Sequence, residues 1–263
     1  VSVDDLLALA CEVAVDAGQV LLAHRSAVLD VATKTSSTDP VTQADHASEE
    51  LIARRLLAAR PDDGILGEED AANRPGTSGI RWVVDPLDAT VNFTYRLPHW
   101  CVSIAAEDGD GPLVGVVHDP VRNEVFAAGR GLGATVDTEP IRVSDVPGLD
   151  RTLVATGFAY DAAVRADQGR DVADLLGRVR DLRRGGSAAL DLAYVAAGRV
   201  DAYVEFGLQP WDWAAGRLLV TEAGGRVSTH RRRLGGADRD GIVAGGPVAH
   251  DAVADWVRDR STT

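Results

Sequence analysis

The chain has 263 residues, of which 45% are hydrophobic and 25% are charged, so it can bury a large core. Its 40 acidic residues exceed its 27 basic residues and give a formal net charge of -13 at pH 7. This charge disfavours contact with a nucleic acid backbone, and the basic cluster Arg231 to Arg233 is interpreted as a solvated turn. No apolar run approaches the ~20 residues of a membrane span, and no signal peptide is visible. A globular cytoplasmic protein is predicted, with neither a nucleic acid nor a membrane as partner.

Helix patterns come first along the chain and strand patterns follow. Apolar residues at three- and four-residue spacing predict helices over residues 3–25 and from about Ala44 to Arg60. Residues 34–39 between them are polar and predict a loop. The apolar run 81–85 predicts a buried strand that ends at Asp85. Further strands are predicted at residues 101–107, 113–118 and 123–128.

In the second half of the chain, strands and helices alternate. The predicted elements are a strand at 153–157, helices at 163–179 and 187–198, a strand at 201–205, and a helix at 213–223. This alternation predicts an α/β protein of layered sheets and helices whose two halves meet near residue 145. The N-terminal α+β half, 1–145, would carry most of the candidate metal ligands. The C-terminal α/β half, 146–263, would carry Asp212 and the residues that contact substrate.

Carboxylates occur at four separated places, which are Asp45 at a predicted helix start, Glu68 with Glu69, Asp85 with Asp88, and Asp212. Each alone has an ordinary explanation as a helix cap or a turn. The segment from Asp85 to Thr90 is more informative, because a buried strand would end there and a helix would start. Its two aspartates and the Leu87 carbonyl could bind neighbouring hard cations. The N–H groups of Ala89 and Thr90 would suit a phosphate.

The segment DPLDATVNF, from Asp85 to Phe93, resembles the DPxDGTxNF signature of the inositol monophosphatase family of lithium-sensitive phosphatases. Further blocks fit the family in order, and they are KTSSTDPVTQAD from Lys34, Gly67-Glu68-Glu69, GSAAL from Gly186, GRVDAYVE, and WDWAAG from Trp211. The resemblance spans roughly residues 5 to 225. It implies a layered α-β-α-β-α sandwich of the inositol monophosphatase and fructose-1,6-bisphosphatase type, and a homodimer.

The resemblance also implies two or three Mg²⁺ ions in each active site. Glu68, Asp85 and the Leu87 carbonyl would hold the first ion, and Asp85, Asp88 and Asp212 the second. Asp45 and Thr90 would orient the attacking water, with Glu68 also counted as catalytic. The implied substrate contacts are Ala89, Thr90, Ser187, Ala188, Glu205 and Asp212. Paired Mg²⁺ ions activate water and stabilise a leaving alkoxide, so no protein nucleophile is needed.

Ala89 departs from the family signature, which has glycine at this position. A positive φ there would strain an alanine, but the position at a helix start predicts a helical φ and a harmless methyl group. The predicted activity is hydrolysis of a small phosphate monoester, with myo-inositol 1-phosphate as substrate. Histidinol phosphate, a sugar phosphate or a nucleotide 3′-phosphate are alternatives on the same scaffold. A non-catalytic binding or regulatory protein is a second alternative, because of Ala89.

Overall fold

The computed structural model describes residues 2–30, 40–68 and 73–261. Both predicted N-terminal helices are confirmed, as α1 (Val3–Asp30) and α2 (Pro40–Ala59). Because α2 begins at Pro40 rather than near Ala44, Asp45 lies in its second turn and not at its start. The predicted loop at 34–39, which includes Lys34, and the residue Glu69 lie outside the described residues.

A 7-stranded sheet follows, with its strands in sequence order. The strands are β1 (Gly64–Gly67), β2 (Arg81–Asp88), β3 (Cys101–Asp108), β4 (Gly111–Asp119), β5 (Glu124–Gly129), β6 (Gly133–Val136) and β7 (Glu139–Pro140). β1 and β2 are parallel, and the other neighbours are antiparallel. The β2–β3 register shifts between Asp85 and Asp88, where Pro86 cannot donate a ladder hydrogen bond. The short helix α3 (Thr90–Thr94) begins directly after this irregularity.

The second sheet has 5 strands in the order β11-β12-β10-β8-β9. Its strands are β8 (Leu153–Thr156), β9 (Asp181–Arg183), β10 (Ala202–Phe206), β11 (Arg226–Leu234) and β12 (Ala237–Gly245). The helices of this half are α4 (Ala162–Leu175), α5 (Ala188–Ala196), α6 (Pro210–Glu222) and α7 (Pro247–Ser261), with a 3₁₀ turn at Leu149–Arg151. The sequence did not predict β9, β11, β12 or α7. It also placed the start of α6 at residue 213, whereas Asp212 lies in the first turn.

Helices and sheets alternate through the molecule because both faces of each sheet are apolar. In β3, Val102 and Ile104 pack with α1 and α2, whereas Cys101 and Ala105 face α5 and α6. This follows the two-residue period of a strand. On the far side of the second sheet, Val204 and Phe206 pack against α4 and α7. The predicted α-β-α-β-α layering is therefore confirmed.

The central helix layer belongs to one core shared by the two sheets. Phe126 from the first sheet and Tyr203 from the second lie in the same buried cluster as Leu190 of α5 and Leu219 of α6. Side chains from both sides of residue 145 thus pack together. The division into two halves at that position stays a prediction.

The basic cluster Arg231 to Arg233 lies in strand β11, so the predicted solvated turn is wrong. Arg232 is buried and bonds to Asp171 of α4, and Arg231 pairs with Asp240 across the β11–β12 ladder. The turn interpretation failed because these residues pair with β12, a strand that the sequence did not predict. These pairings offset the charges of Arg231 and Arg232.

Among the described residues, one segment, Val3–Arg25, is long and apolar enough to span a membrane, with a mean hydropathy of 1.8. The sequence reasoning did not identify this run. Its residues Ala10, Val13 and Leu21 are fully buried within the protein. A core helix passes the same length and hydropathy test, so the feature is weak evidence for a membrane span.

Candidate active site

A cavity of about 310 Å³ opens where the end of β2, strand β10 and the N-termini of α5 and α6 meet. Ten of the predicted site residues line it, namely Glu68, Asp85, Leu87, Asp88, Ala89, Thr90, Ser187, Ala188, Glu205 and Asp212. Asp45 is not one of the lining residues, although it is buried and its charge acts on Asp85. Segments far apart in the sequence therefore meet at one cavity.

Asp85 and Asp88 lie at the end of β2 and are held by hydrogen bonds from two directions. The backbone N–H of Leu87 donates to Asp85 Oδ1 over 3.0 Å. Asp88 Oδ2 accepts from Ser187 Oγ at 2.6 Å and from the Ala189 N–H at 2.9 Å. Ser187 is also the N-cap of α5, since its Oγ accepts from the Leu190 N–H. The start of α5 thus fixes a carboxylate that β2 supplies.

Asp212 and Glu68 reach the same place from opposite halves of the chain. Asp212 occupies the third position of α6 in a capping box, with its Oδ2 accepting from the Gln209 N–H at 2.6 Å. Glu68 follows β1, and its N–H donates to the Val84 carbonyl over 3.3 Å. Parallel pairing of β1 and β2 therefore sets Glu68 beside Asp85. We call Glu68, Asp85, Asp88 and Asp212 the carboxylate end of the cavity.

Negative charge is concentrated at the carboxylate end. Burial raises the pKa of Asp85 well above its usual value, and the charges of Asp88 and Glu68 raise it further. Burial, and then the charge of Asp88, raise the pKa of Asp212 to about 7. Burial also raises the pKa of Asp88, although the hydrogen bond from Ser187 opposes the rise. The folded protein therefore holds these groups at an electrostatic cost.

The donor chemistry of the carboxylate end fits a hard divalent cation. Carboxylate oxygens are the ligands that Mg²⁺ prefers, and a cation would relieve the repulsion described above. Asp85, Asp88 and Asp212 are each held through one oxygen, and no described residue donates a hydrogen bond to the other oxygen. Within the described ranges, no three His, Cys, Asp or Glu side chains already enclose a point as ligands of one ion.

Ala89 adopts φ 75° and ψ 50°, which is the left-handed region. The predicted helical φ is therefore wrong. The reason is that Ala89 precedes the helix as the N-cap of α3 and completes the turn from the irregular end of β2. Thr90 Oγ1 then donates to the Leu87 carbonyl over 3.2 Å, which ties the turn to the oxygen predicted as a metal ligand.

Glu205 faces the other end of the cavity from strand β10. Side chains alternate along the strand, so Val204 and Phe206 face α4 and α7, whereas Tyr203 and Glu205 face the layer of α5 and α6. The Tyr203 hydroxyl donates to Glu205 Oε2 at 2.5 Å. Burial raises the pKa of Glu205 to about 7, and the bond from Tyr203 opposes part of this rise.

Sequence reasoning missed other residues that line the cavity, among them Phe158, Tyr160, Arg184, Asp191 and Gln209. Phe158, Tyr160 and Arg184 lie in connections whose local sequence carries no functional pattern. Asp191 offered one usable signal, because it is a charged residue inside the otherwise apolar helix α5. It is buried, and burial raises its pKa.

The chain is similar to known proteins over nearly its whole length. The model of the inositol monophosphatase family matches residues 2–261. The chain is 45% identical over 233 residues to Nus factor SuhB of Escherichia coli strain K12, with 87% of this chain and 86% of that protein covered. It is 43% identical over 232 residues to inositol-1-monophosphatase SuhB of Mycobacterium tuberculosis, with 85% and 80% covered. The solved structure of Mycobacterium tuberculosis SuhB has a TM-score of 0.84 at 38% identity, with 98% of this chain and 97% of that chain covered. The layered fold is thus the one shared by these relatives, and the chain belongs to the inositol monophosphatase family.

Proposed function

We propose that this chain is a Mg²⁺-dependent phosphatase that hydrolyses a small phosphate monoester, with myo-inositol 1-phosphate as its substrate. The observation that carries the proposal is the convergence of Glu68, Asp85, Asp88 and Asp212 around one cavity. Membership of a phosphatase family supports the reaction class. The relative named inositol-1-monophosphatase supports the choice of substrate.

In this proposal the carboxylate end holds the metal. Asp85, Asp88 and Asp212 would be ligands through the oxygens that no described hydrogen bond occupies, with Glu68 and the Leu87 carbonyl completing the set. Bound Mg²⁺ supplies a lowered pKa for water and positive charge for the phosphate oxygens. The protein's own part is to hold the ligands in place, through the hydrogen bonds from Ser187 and from the Ala189 and Gln209 N–H groups.

Thr90 and the end of β2 would position the ester. Thr90 lines the cavity next to Asp88, and its hydroxyl group is held at the Leu87 carbonyl. We propose that Thr90, with Asp45 acting from the neighbouring helix α2, orients the attacking water. Asp45 is 6% exposed, and its charge acts on Asp85.

Glu205 would bind the alcohol part of the substrate. It lies in the same cavity as the carboxylate end but belongs to the other sheet. A buried carboxylate accepts hydrogen bonds from hydroxyl groups and loses affinity for a ligand that lacks them. Glu205 thus favours a polyol ester over an apolar one.

Phosphate release from a panel of esters tests the proposed function. The panel contains myo-inositol 1-phosphate, histidinol phosphate, fructose 1,6-bisphosphate and adenosine 3′,5′-bisphosphate, each with and without Mg²⁺. We expect Mg²⁺-dependent release with the highest kcat/KM for myo-inositol 1-phosphate. Equal or faster hydrolysis of histidinol phosphate would contradict the substrate assignment, and no release from any ester would contradict the enzyme assignment.

The strained backbone of Ala89 is the observation behind a second candidate, a non-catalytic binding protein. Its φ of 75° places a methyl group on a turn where the family signature has glycine. The relatives named Nus factor SuhB carry a name that does not denote a phosphatase. If this candidate is correct, a folded wild type shows no phosphatase activity and Ala89→Gly restores it. Retention of the carboxylate end favours the enzyme.

A further inference from the structure

Arg184 is the one basic residue among the described residues that line the cavity. It lies in the connection between β9 and α5, directly before Gly185 and Gly186. Its guanidinium carbon is 5.9 Å from the centre of the Phe158 ring, so the planar group is supported by an aromatic face. Arg184 therefore presents a fixed positive charge in a cavity that is otherwise acidic.

The hydrogen-bond donors of Arg184 are not taken up by the described part of the protein. Burial raises the pKa of Asp191 and of Glu205, which line the same cavity, and the charge of Arg184 opposes part of each rise. Even so, no described carboxylate lies within 4.0 Å of the guanidinium as an ion pair, and no described acceptor bonds to it. Arg184 is exposed to solvent, so water rather than a described residue takes up its five N–H donors. The donors are thus available to a ligand.

Two glycines leave room for the side chains of Arg184 and Glu205. A Cβ atom at Gly186 would collide with Arg184 Nη1, and one at Gly157 would collide with the Glu205 carboxylate. Gly186 also has φ 96°, which other residues rarely adopt. The backbone therefore approaches both charged groups closely enough that a side chain at either glycine would displace them. We call Phe158, Arg184, Asp191 and Glu205 the polyol end of the cavity.

We propose that Arg184 is a specificity-determining residue that acts with Glu205 to bind hydroxyl groups of a cyclic polyol monophosphate. A hydroxyl group can accept from the guanidinium and donate to a carboxylate at the same time. A second phosphate would instead face the carboxylates of Asp191 and Glu205, which repel it. The inference rests on the proposed function and deepens it, because it assigns the substrate class to a residue outside the predicted set.

The test compares two esters of the same ring. Myo-inositol 1-phosphate carries hydroxyl groups, whereas cyclohexyl phosphate does not. We expect Arg184→Ala to lower kcat/KM for the inositol ester roughly 10- to 100-fold, mainly through KM, as for lost hydrogen bonds from a charged donor. Hydrolysis of cyclohexyl phosphate should stay near the wild-type level. Arg184→Lys should recover part of the loss, because a lysine keeps the charge without the forked geometry.

Arg183→Ala is the matched control. Arg183 is the preceding residue and pairs with Asp181 at 2.6 Å, and it is not one of the lining residues. The variant removes the same charge from the neighbouring position, the last residue of β9, so it should leave hydrolysis of both esters unaffected. Size-exclusion chromatography of each variant checks that the oligomeric state is unchanged.

Equal losses on the two esters, or no loss on the inositol ester, would overturn the role of Arg184. A selective loss on fructose 1,6-bisphosphate would overturn it as well, by pointing to a second phosphate as the ligand. If the wild type releases phosphate from neither ring ester, the proposed function fails. In that case the affinity for myo-inositol 1-phosphate, measured by calorimetry, still tests the role of Arg184. Weaker binding by Arg184→Ala than by the wild type would support the role, and equal affinities would contradict it.

Discussion

The carboxylate end of the cavity takes two of its four side chains from the end of one strand, whereas the polyol end takes each of its four from a different segment. Asp85 and Asp88 share strand β2. Phe158 and Arg184 lie in separate connections, and Glu205 belongs to β10. The first arrangement depends on a local turn that a short motif can encode. The second depends on how the layers pack.

The two ends also differ in their charge balance. At the carboxylate end, burial and then the charges of neighbouring carboxylates raise the pKa of Asp85. At the polyol end, Arg184 partly offsets the charges of Asp191 and Glu205. We infer that the first end needs a cation to function and the second needs hydroxyl groups.

The largest expected effect is at the carboxylate end, in Asp88→Asn. A neutral amide replaces a proposed metal ligand, so kcat/KM should fall by more than ~100-fold, beyond the range for residues that only support a ligand. Thermal unfolding should show that the variant folds, since removal of one charge relieves repulsion on Asp85. Asp110→Asn, in an exposed turn, is the control. Near-normal turnover by Asp88→Asn would break the proposed role.

At the polyol end, Glu205→Gln should act on substrate rather than on metal. Loss of the charged acceptor should raise KM for myo-inositol 1-phosphate about 10-fold. The Mg²⁺ concentration needed for half-maximal activity should change little, because Glu205 belongs to the other sheet. Steady-state kinetics over a range of Mg²⁺ concentrations measures both quantities. A large rise in the Mg²⁺ requirement would place Glu205 at the carboxylate end instead.

The buried acids also predict a pH dependence of stability in the metal-free protein. Burial raises the pKa of Glu205 from 4.5 to about 7, so across this window the folded state keeps a proton that the unfolded chain releases. The free energy of unfolding should therefore fall as pH rises through the window and level off above it. Urea unfolding in a chelator, at about pH 5 and about pH 8, measures the change. Glu205→Gln should reduce the slope, and an unchanged slope would contradict the burial effect.

The smallest expected effect is that of Ala89→Gly. A left-handed alanine is strained by ~1–2 kcal/mol, and the greater freedom of glycine in the unfolded chain offsets part of the gain. The variant should be more stable by up to about 1 kcal/mol in urea unfolding. Removal of the methyl group from the cavity wall should also raise kcat/KM.

Thr138→Gly is the matched control for Ala89→Gly. Thr138 has φ 74°, close to the value at Ala89, but does not line the cavity. The Thr138→Gly variant should be more stable than the wild type, and its kcat/KM should be unchanged. If Ala89→Gly is stabilised and its kcat/KM is also unchanged, the methyl group does not crowd the substrate.

The sequence predicted the layered fold and the residues of the carboxylate end because their signals are local. The motif from Asp85 to Phe93 joins a buried strand, a proline and a helix start within nine residues. It did not predict the backbone of Ala89, because that conformation follows from the β2 irregularity beside β3. It missed Arg184 and misread Arg232, since the partners of both are defined only by packing between distant segments. The predicted starts of α2 and α6 were a few residues too late, because each helix begins at a proline that precedes its apolar pattern.

The most direct test of the central claim is phosphate release from myo-inositol 1-phosphate by chelator-treated protein that is then titrated with Mg²⁺. We expect no release before Mg²⁺ is added and saturable activity afterwards, with Asp88→Asn and Asp212→Asn failing to respond over the same range. Full release in the presence of chelator would contradict the account, because the carboxylate end would then serve no metal.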